Sequence, residues 1–224
     1  MQDKNTYKFT LKTIAIPLYT VLFLWIILWA DFRFNLHLMR FGIFPRTLLG
    51  LRGIICEPFI HKDMAHLANN SLPLLVLMMA LLYFYRPIAL KVIWQGLLFS
   101  GVLTWLIARP AYHIGASGVI YFLVSFVFFS GIFSRNYRLI AVSLVVVFIY
   151  GSLLWYLFPI DAEISWEGHL SGFVVGIFLA YRYKKVLPKP DTYDWEEDTY
   201  QKDDFDKLFD DDGNFSPPQK EGEL

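Results

Sequence analysis

The chain has 224 residues, of which 56% are hydrophobic, 18% aromatic and only 18% charged, with mean hydropathy +0.43. That is far too apolar for a soluble domain of this length and defines a membrane protein. The zero net charge is unevenly divided, since residues 1–190 carry 17 Lys/Arg against 7 Asp/Glu and residues 191–224 carry 3 against 13; no nucleic-acid partner is expected, and the partner read from composition is the lipid bilayer.

Crossing about 30 Å of hydrocarbon takes roughly 20 mostly apolar residues. Six stretches approach that length: 14–30, 66–85, 90–108, 117–133, 139–158 and 169–183. Their length and the lack of dyad alternation argue for helices rather than a barrel, so the fold class is all-α. Residues 1–13 are expected as a short N-terminal segment. The apolar run after it contains Pro17 and lacks a small-x-small exit, so it should be retained as a span rather than cleaved as a leader. Residues 31–65 form a long first loop. The segment 184–224, with its acidic runs and a Pro-Pro pair, is too polar to bury a core and is expected to be a disordered tail. A weak partner motif around WEEDTYQKDDFDKLF has no other support. Cys56 is the sole cysteine, which excludes an intrachain disulfide and a thiolate metal cluster.

Lys4, Lys8 and Lys12 precede the first span, Arg86 and Lys91 follow the second, Arg135 and Arg138 follow the fourth, and Arg182, Lys184, Lys185 and Lys189 follow the sixth. By the positive-inside rule these segments are cytoplasmic, as are both termini. Spans two, four and six then begin on the outer face, and their first residues are the unusual ones: HKDMAHLANN, GASG and EGHLSGFVVG. His61, His66, Asn70, Ser117 and His169 should therefore share one depth, where polar groups face a bundle interior, a partner or a water-filled cavity.

Each has a bland reading beside the chemical one. In GASG, small residues let helices approach closely, and Ser117 could simply bond its own backbone. Alternatively, Ser117 opens a helix whose free N–H groups stabilise an oxyanion, with Gly115 and Gly118 permitting close approach of a substrate backbone. A serine nucleophile needs a base. His169 is the candidate, because Gly172 and Gly176 form a small-xxx-small face that would bring its helix against the one opened by Ser117. Tyr121, one turn below Ser117, could support the imidazole. No carboxylate lies within a span to complete a triad, and Glu167 reads as a solvated loop charge. His66 and Asn70, four apart, are candidate oxyanion donors or a mutually bonded buried pair; Asn69 is less well stacked, and His61 could donate too or cap the first loop. His113 reads as a loop residue at the rim. A zinc site built from His61, His66, His169 and His113 is the rival use of these histidines, weakened by the lack of an HExxH motif and because it leaves GASG unexplained.

The whole set resembles the rhomboid intramembrane serine proteases. HxxxxHxxxN is present as His61, His66 and Asn70, GxSG as Gly115 to Gly118 followed by Tyr121, and HxxGxxxG as His169, Gly172 and Gly176, in that order on alternate spans. The loop FGIFPRTLLGLRGIICEPFIH is similar to that of bacterial members with a Gly-x-x-Pro-Arg loop. The resemblance implies a rhomboid-like bundle of six transmembrane helices over 14–183. It implies Ser117 as nucleophile, His169 as general base, and His66, Asn70 and the Ser117 N–H as oxyanion donors, with Tyr121 beneath His169. It implies transmembrane protein substrates, no cofactor, no metal, and residence in a bacterial cytoplasmic membrane with the site opening outward. A Trp-Arg pair common in the family's first loop is absent, with Pro45-Arg46 in that region, and Gly168 stands where Ala is usual. The competing functions are a non-catalytic binder of client helices on the same fold and a His-based metal-binding membrane protein.

Overall fold

The computed structural model describes residues 9–161, 164–186, 205–210 and 212–216. The chain divides into two compact units, 1–190 and 191–224. In the second, the described residues form a 3-10 turn at Asp206–Leu208 and an isolated bridge between Phe209 and Phe215. Most of the expected disordered tail, including the start of the possible partner motif, lies outside the described residues.

The first unit is built of helices, six of them long: α1 Leu11–Phe34, α3 Met64–Phe84, α4 Ala89–Ile107, α5 Ser117–Ser134, α6 Tyr137–Tyr150 and α7 Trp166–Tyr183, with a one-turn α2 at Gly53–Cys56. By length and composition α1, α3, α4 and α5 can each cross a membrane, while α6 is a shorter apolar helix. Helix ends follow local chemistry. Asp63 caps α3 by accepting from the His66 N–H at 2.8 Å, and Asn136 caps α6 by accepting from the Arg138 N–H at 3.0 Å. Asn35 ends α1 in the left-handed conformation that asparagine tolerates.

α5 is the central helix. Eleven of its residues are buried, among them Phe122, Leu123, Phe126 and Val127, and it packs against α3, α4, α6 and most extensively α7. The α5–α7 approach depends on glycine. A Cβ on Gly172 would overlap the Gly118 carbonyl oxygen, and one on Gly176 would overlap Ser125 Oγ and the Phe122 carbonyl. α1 lies against α3, burying Leu24 and Leu28 and donating from Trp25 Nε1 to Ser71 Oγ at 3.1 Å.

Three helices depart from the sequence expectation by three residues or more, and α1, at Leu11–Phe34, takes in the start of the expected first loop 31–65. The α-helix of the fifth stretch ends at Tyr150, and Gly151–Leu157 continues as a 3-10 run. Pro159 accounts for the stop beyond it, because the residue before proline is driven out of the helical region; Phe158 sits at φ −109°, ψ 156°. α7 starts at Trp166, so Glu167 belongs to its first turn.

The first loop is fastened to the far end of α4. Arg46, at φ 56°, donates from its guanidinium to the carbonyls of Leu106 at 3.2 Å and Ala108 at 2.8 Å, and its N–H donates to the Trp105 carbonyl. Trp105 Nε1 returns a bond to the Thr47 carbonyl at 2.9 Å. The last carbonyls of a helix lack intrahelical partners, so a forked cation there is doubly favourable. Arg46 and Trp105, 59 positions apart in the chain, thus join loop to helix without a contiguous Trp-Arg pair.

Candidate active site

Ser117 is the first residue of α5 and His169 lies in the first turn of α7, and the glycine-mediated packing of these helices brings Ser117 Oγ to 2.9 Å from His169 Nε2. The other ring nitrogen, Nδ1, lies 3.0 Å from the carbonyl oxygen of Tyr156 in the 3-10 run after α6. A carbonyl can only accept, so Nδ1 carries the proton, and the neutral ring offers Nε2 as acceptor for the serine hydroxyl. A backbone carbonyl thus does the orienting that a carboxylate performs in a triad. The Tyr121 ring lies flat against the imidazole, 4.2 Å between centroids and 14° between planes.

One cavity of about 840 Å³ is lined by Ser117, Tyr121, His169, His66, Asn69 and Asn70, with Tyr156, Ser165 and Ile164 along its wall. The first turns of α3, α5 and α7 therefore open onto a common space. Asn70 is 6% exposed, yet its Nδ2 has no hydrogen-bond partner among the described residues. An unpaired buried amide donor carries a desolvation cost that a ligand oxygen would relieve. Gly115 sits at φ +110°, in the left-handed region, so its conformation requires glycine, and a Cβ there, 2.7 Å from the His66 ring, would also push that ring aside. Gly118 differs: a Cβ would meet the Gly168 carbonyl oxygen at 3.5 Å, an ordinary contact.

His61 is buried and its Nε2 accepts from the Ala116 N–H at 3.3 Å, beside Ser117. Its Nε2 is therefore an acceptor that holds the loop before α5. Burial pushes its pKa down to about 4, which keeps the ring neutral and able to accept. Its ring meets His66 edge-on, 5.0 Å between centroids.

Two sequence expectations are corrected. Glu167 is not a solvated charge. It is buried on α7, where Oε1 accepts from the Arg109 N–H at 3.2 Å and lies 3.8 Å from the Arg109 guanidinium. His113 is not at the rim. It is 3% exposed, pairs antiparallel with Ile43, and bonds the Ser165 hydroxyl and the Arg109 carbonyl through its two ring nitrogens. Both corrections have one cause: each partner lies 52 or more positions away in the chain, except for the Arg109 carbonyl. The contributions of Tyr156 and Glu57 also escaped the sequence reading. Glu57 is buried and its backbone carbonyl accepts from the Gly115 N–H at 2.9 Å, while burial raises its side-chain pKa to about 8. Its one sequence signal is a carboxylate four residues before His61 in an otherwise apolar run.

These features define a class: a helical membrane protein with a serine–histidine pair at the shared end of three helices. The Rhomboid domain model matches residues 49–185, and the chain belongs to the rhomboid family. Similar proteins include uncharacterized proteins of Mycobacterium bovis and Mycobacterium tuberculosis, each 40% identical over 152 residues, covering 62% of this chain and 62% of theirs. An uncharacterized protein of Mycobacterium leprae is 36% identical over 143 residues, covering 58% of this chain and 55% of its own. The chain thus spans less than two thirds of the length of these relatives.

Proposed function

We propose that the chain is an intramembrane serine endopeptidase that hydrolyses peptide bonds in or near transmembrane segments of other proteins. The observation that carries the reading is the 2.9 Å contact between Ser117 Oγ and His169 Nε2, with Nδ1 of the same ring turned to the Tyr156 carbonyl. In the reaction His169 Nε2 takes the Ser117 proton as Oγ attacks the scissile carbonyl. The Asn70 amide, the His66 ring and the Ser117 N–H stabilise the oxyanion. His169 then gives its proton to the leaving amine, and water, activated by the same imidazole, hydrolyses the acyl-enzyme. No cofactor enters these steps.

In this reading residues 14–183 form six spans, with 1–13 and the acidic 184–224 on the cytoplasmic side and the loop 31–65 on the outer side. The cavity then opens toward the outer face of a bacterial cytoplasmic membrane, where water can enter. Support comes from the distribution of Lys and Arg and from three helices, α3, α5 and α7, each presenting its N-terminal turn to the cavity.

The test is labelling of the detergent-solubilised protein by a fluorophosphonate probe. Labelling lost in Ser117→Ala and in His169→Ala is the expected result. Undiminished labelling of Ser117→Ala would refute the assignment.

A further inference from the structure

Ser117 and His169 are not the only serine and histidine joined between these two stretches of chain. His113 lies four residues before Ser117 and Ser165 four residues before His169, and His113 Nδ1 is 2.5 Å from Ser165 Oγ. The two pairs have the same separation in sequence with donor and acceptor strands exchanged. His113 Nε2 faces the Arg109 carbonyl at 3.0 Å, so Nε2 holds the ring proton, and Nδ1 accepts from the Ser165 hydroxyl. Burial lowers the pKa of His113, which favours this neutral tautomer.

A second tie runs alongside. Arg109 donates from its guanidinium to the Ile164 carbonyl at 2.9 Å and from its N–H to Glu167 at 3.2 Å. Ser165 also accepts, through its own carbonyl, the His169 N–H at 3.2 Å, so displacement of Ser165 is passed to the first turn that carries His169. His113 is itself held to the first loop by reciprocal backbone bonds with Ile43, at 3.0 and 2.8 Å.

We propose that the His113–Ser165 pair, backed by Arg109 and Glu167, is a clasp that sets the distance between Ser117 and His169. Its four members are positioning residues. The chain reaches Ser117 from one loop and His169 from another, and the clasp ties those two loops together in addition to the glycine-mediated contact of α5 with α7. The clasp closes them one step above the reacting pair. A hydrogen bond of 2.9 Å between two helix ends is sensitive to shifts well under 1 Å, and displacements of about 1 Å cost reacting groups on the order of 10²-fold in rate. The inference rests on the proposed reaction of Ser117.

The experiment measures fluorophosphonate inactivation of the full chain in detergent, separating the maximal rate of labelling from the concentration dependence, with the melting temperature recorded for each variant. Ser165→Ala removes one hydroxyl and should slow maximal labelling roughly tenfold or more, leaving the concentration dependence unchanged. His113→Ala should do the same. His113→Gln should recover much of the rate, since its amide N–H can donate to the Arg109 carbonyl and its amide oxygen can accept from Ser165. A wild-type maximal rate in Ser165→Ala, or a lowered melting temperature with an unaltered rate, would overturn the clasp while leaving the dyad standing. So would His113→Gln as slow as His113→Ala. Failure of the wild-type protein itself to label would refute the dyad, and the clasp with it.

Discussion

Gly172→Ala adds one methyl group where α7 meets the backbone of α5 most closely beside the Ser117–His169 pair. The new Cβ would overlap the Gly118 carbonyl oxygen and stand 3.1 Å from both the Gly118 carbonyl carbon and the Phe122 nitrogen. All three are backbone atoms of a buried helix, so no rotamer change relieves the overlap and the helices must part. Overpacking of this kind costs about 1–3 kcal/mol. Parting also lengthens the Ser117–His169 contact from 2.9 Å, and a shift approaching 1 Å should lower the reaction rate by about 10²-fold. Gly118→Ala is the control on the facing helix, because its Cβ meets only ordinary contacts at 3.5 Å and beyond. Melting in detergent and the rate of fluorophosphonate labelling, measured on both variants, check the argument. A Gly172→Ala protein with wild-type melting and labelling, beside a Gly118→Ala protein that has lost both, would refute it.

Glu57→Gln tests the buried carboxyl. A folded-state value near 8 against an ordinary 4.5 means the fold is favoured while the group is protonated, an advantage fully present below the ordinary value and lost as pH rises through about 8. The wild-type melting temperature should therefore fall from about pH 5 to pH 8, by up to ~5 kcal/mol in stability, and the Gln variant should flatten that slope; parallel profiles would contradict the assignment. Asn70→Ala removes a donor that has no partner among the described residues, so melting should hold or rise, while turnover falls about 10²–10³-fold with little change in KM. A fall in melting temperature with turnover intact would count against the oxyanion role. Tyr121→Phe preserves the ring stacked on His169 and should retain most activity, whereas Tyr121→Ala should lose up to about tenfold, matching the ~0.5–1.5 kcal/mol of a ring pair. Equal activity of the two variants would remove the ring from the account.

The helical segments and the gathering of Ser117, His66, Asn70 and His169 at one end of the bundle could be read from the sequence because two strong signals coincide there. Apolar length marks the segments, and charge distribution sorts their ends, so polar residues at corresponding ends share a level. Gly172 and Gly176 carried the packing information, since small residues four apart on one face allow close approach. What could not be read depends on backbone groups or distant partners. The Tyr156 carbonyl that faces His169 belongs to no residue type, and it lies in the 3-10 run that follows α6. Glu167 looked solvated because its partner, Arg109, lies 58 positions earlier in the chain. Arg46 and Trp105 fasten the first loop across an equally long interval, which a search for adjacent Trp and Arg cannot detect. Gly115 and Gly118 look equivalent in GASG, yet only Gly115 has a backbone that requires glycine.

The central claim is that Ser117 cuts peptide bonds within membrane-spanning segments. Its most direct test reconstitutes wild-type and Ser117→Ala protein separately into liposomes with a single-span membrane-protein reporter and maps new peptide termini by mass spectrometry. New termini inside or beside the reporter's span, formed with the wild-type protein and absent with Ser117→Ala, are the predicted result. Identical termini with both proteins, or an intact reporter in both, would contradict it.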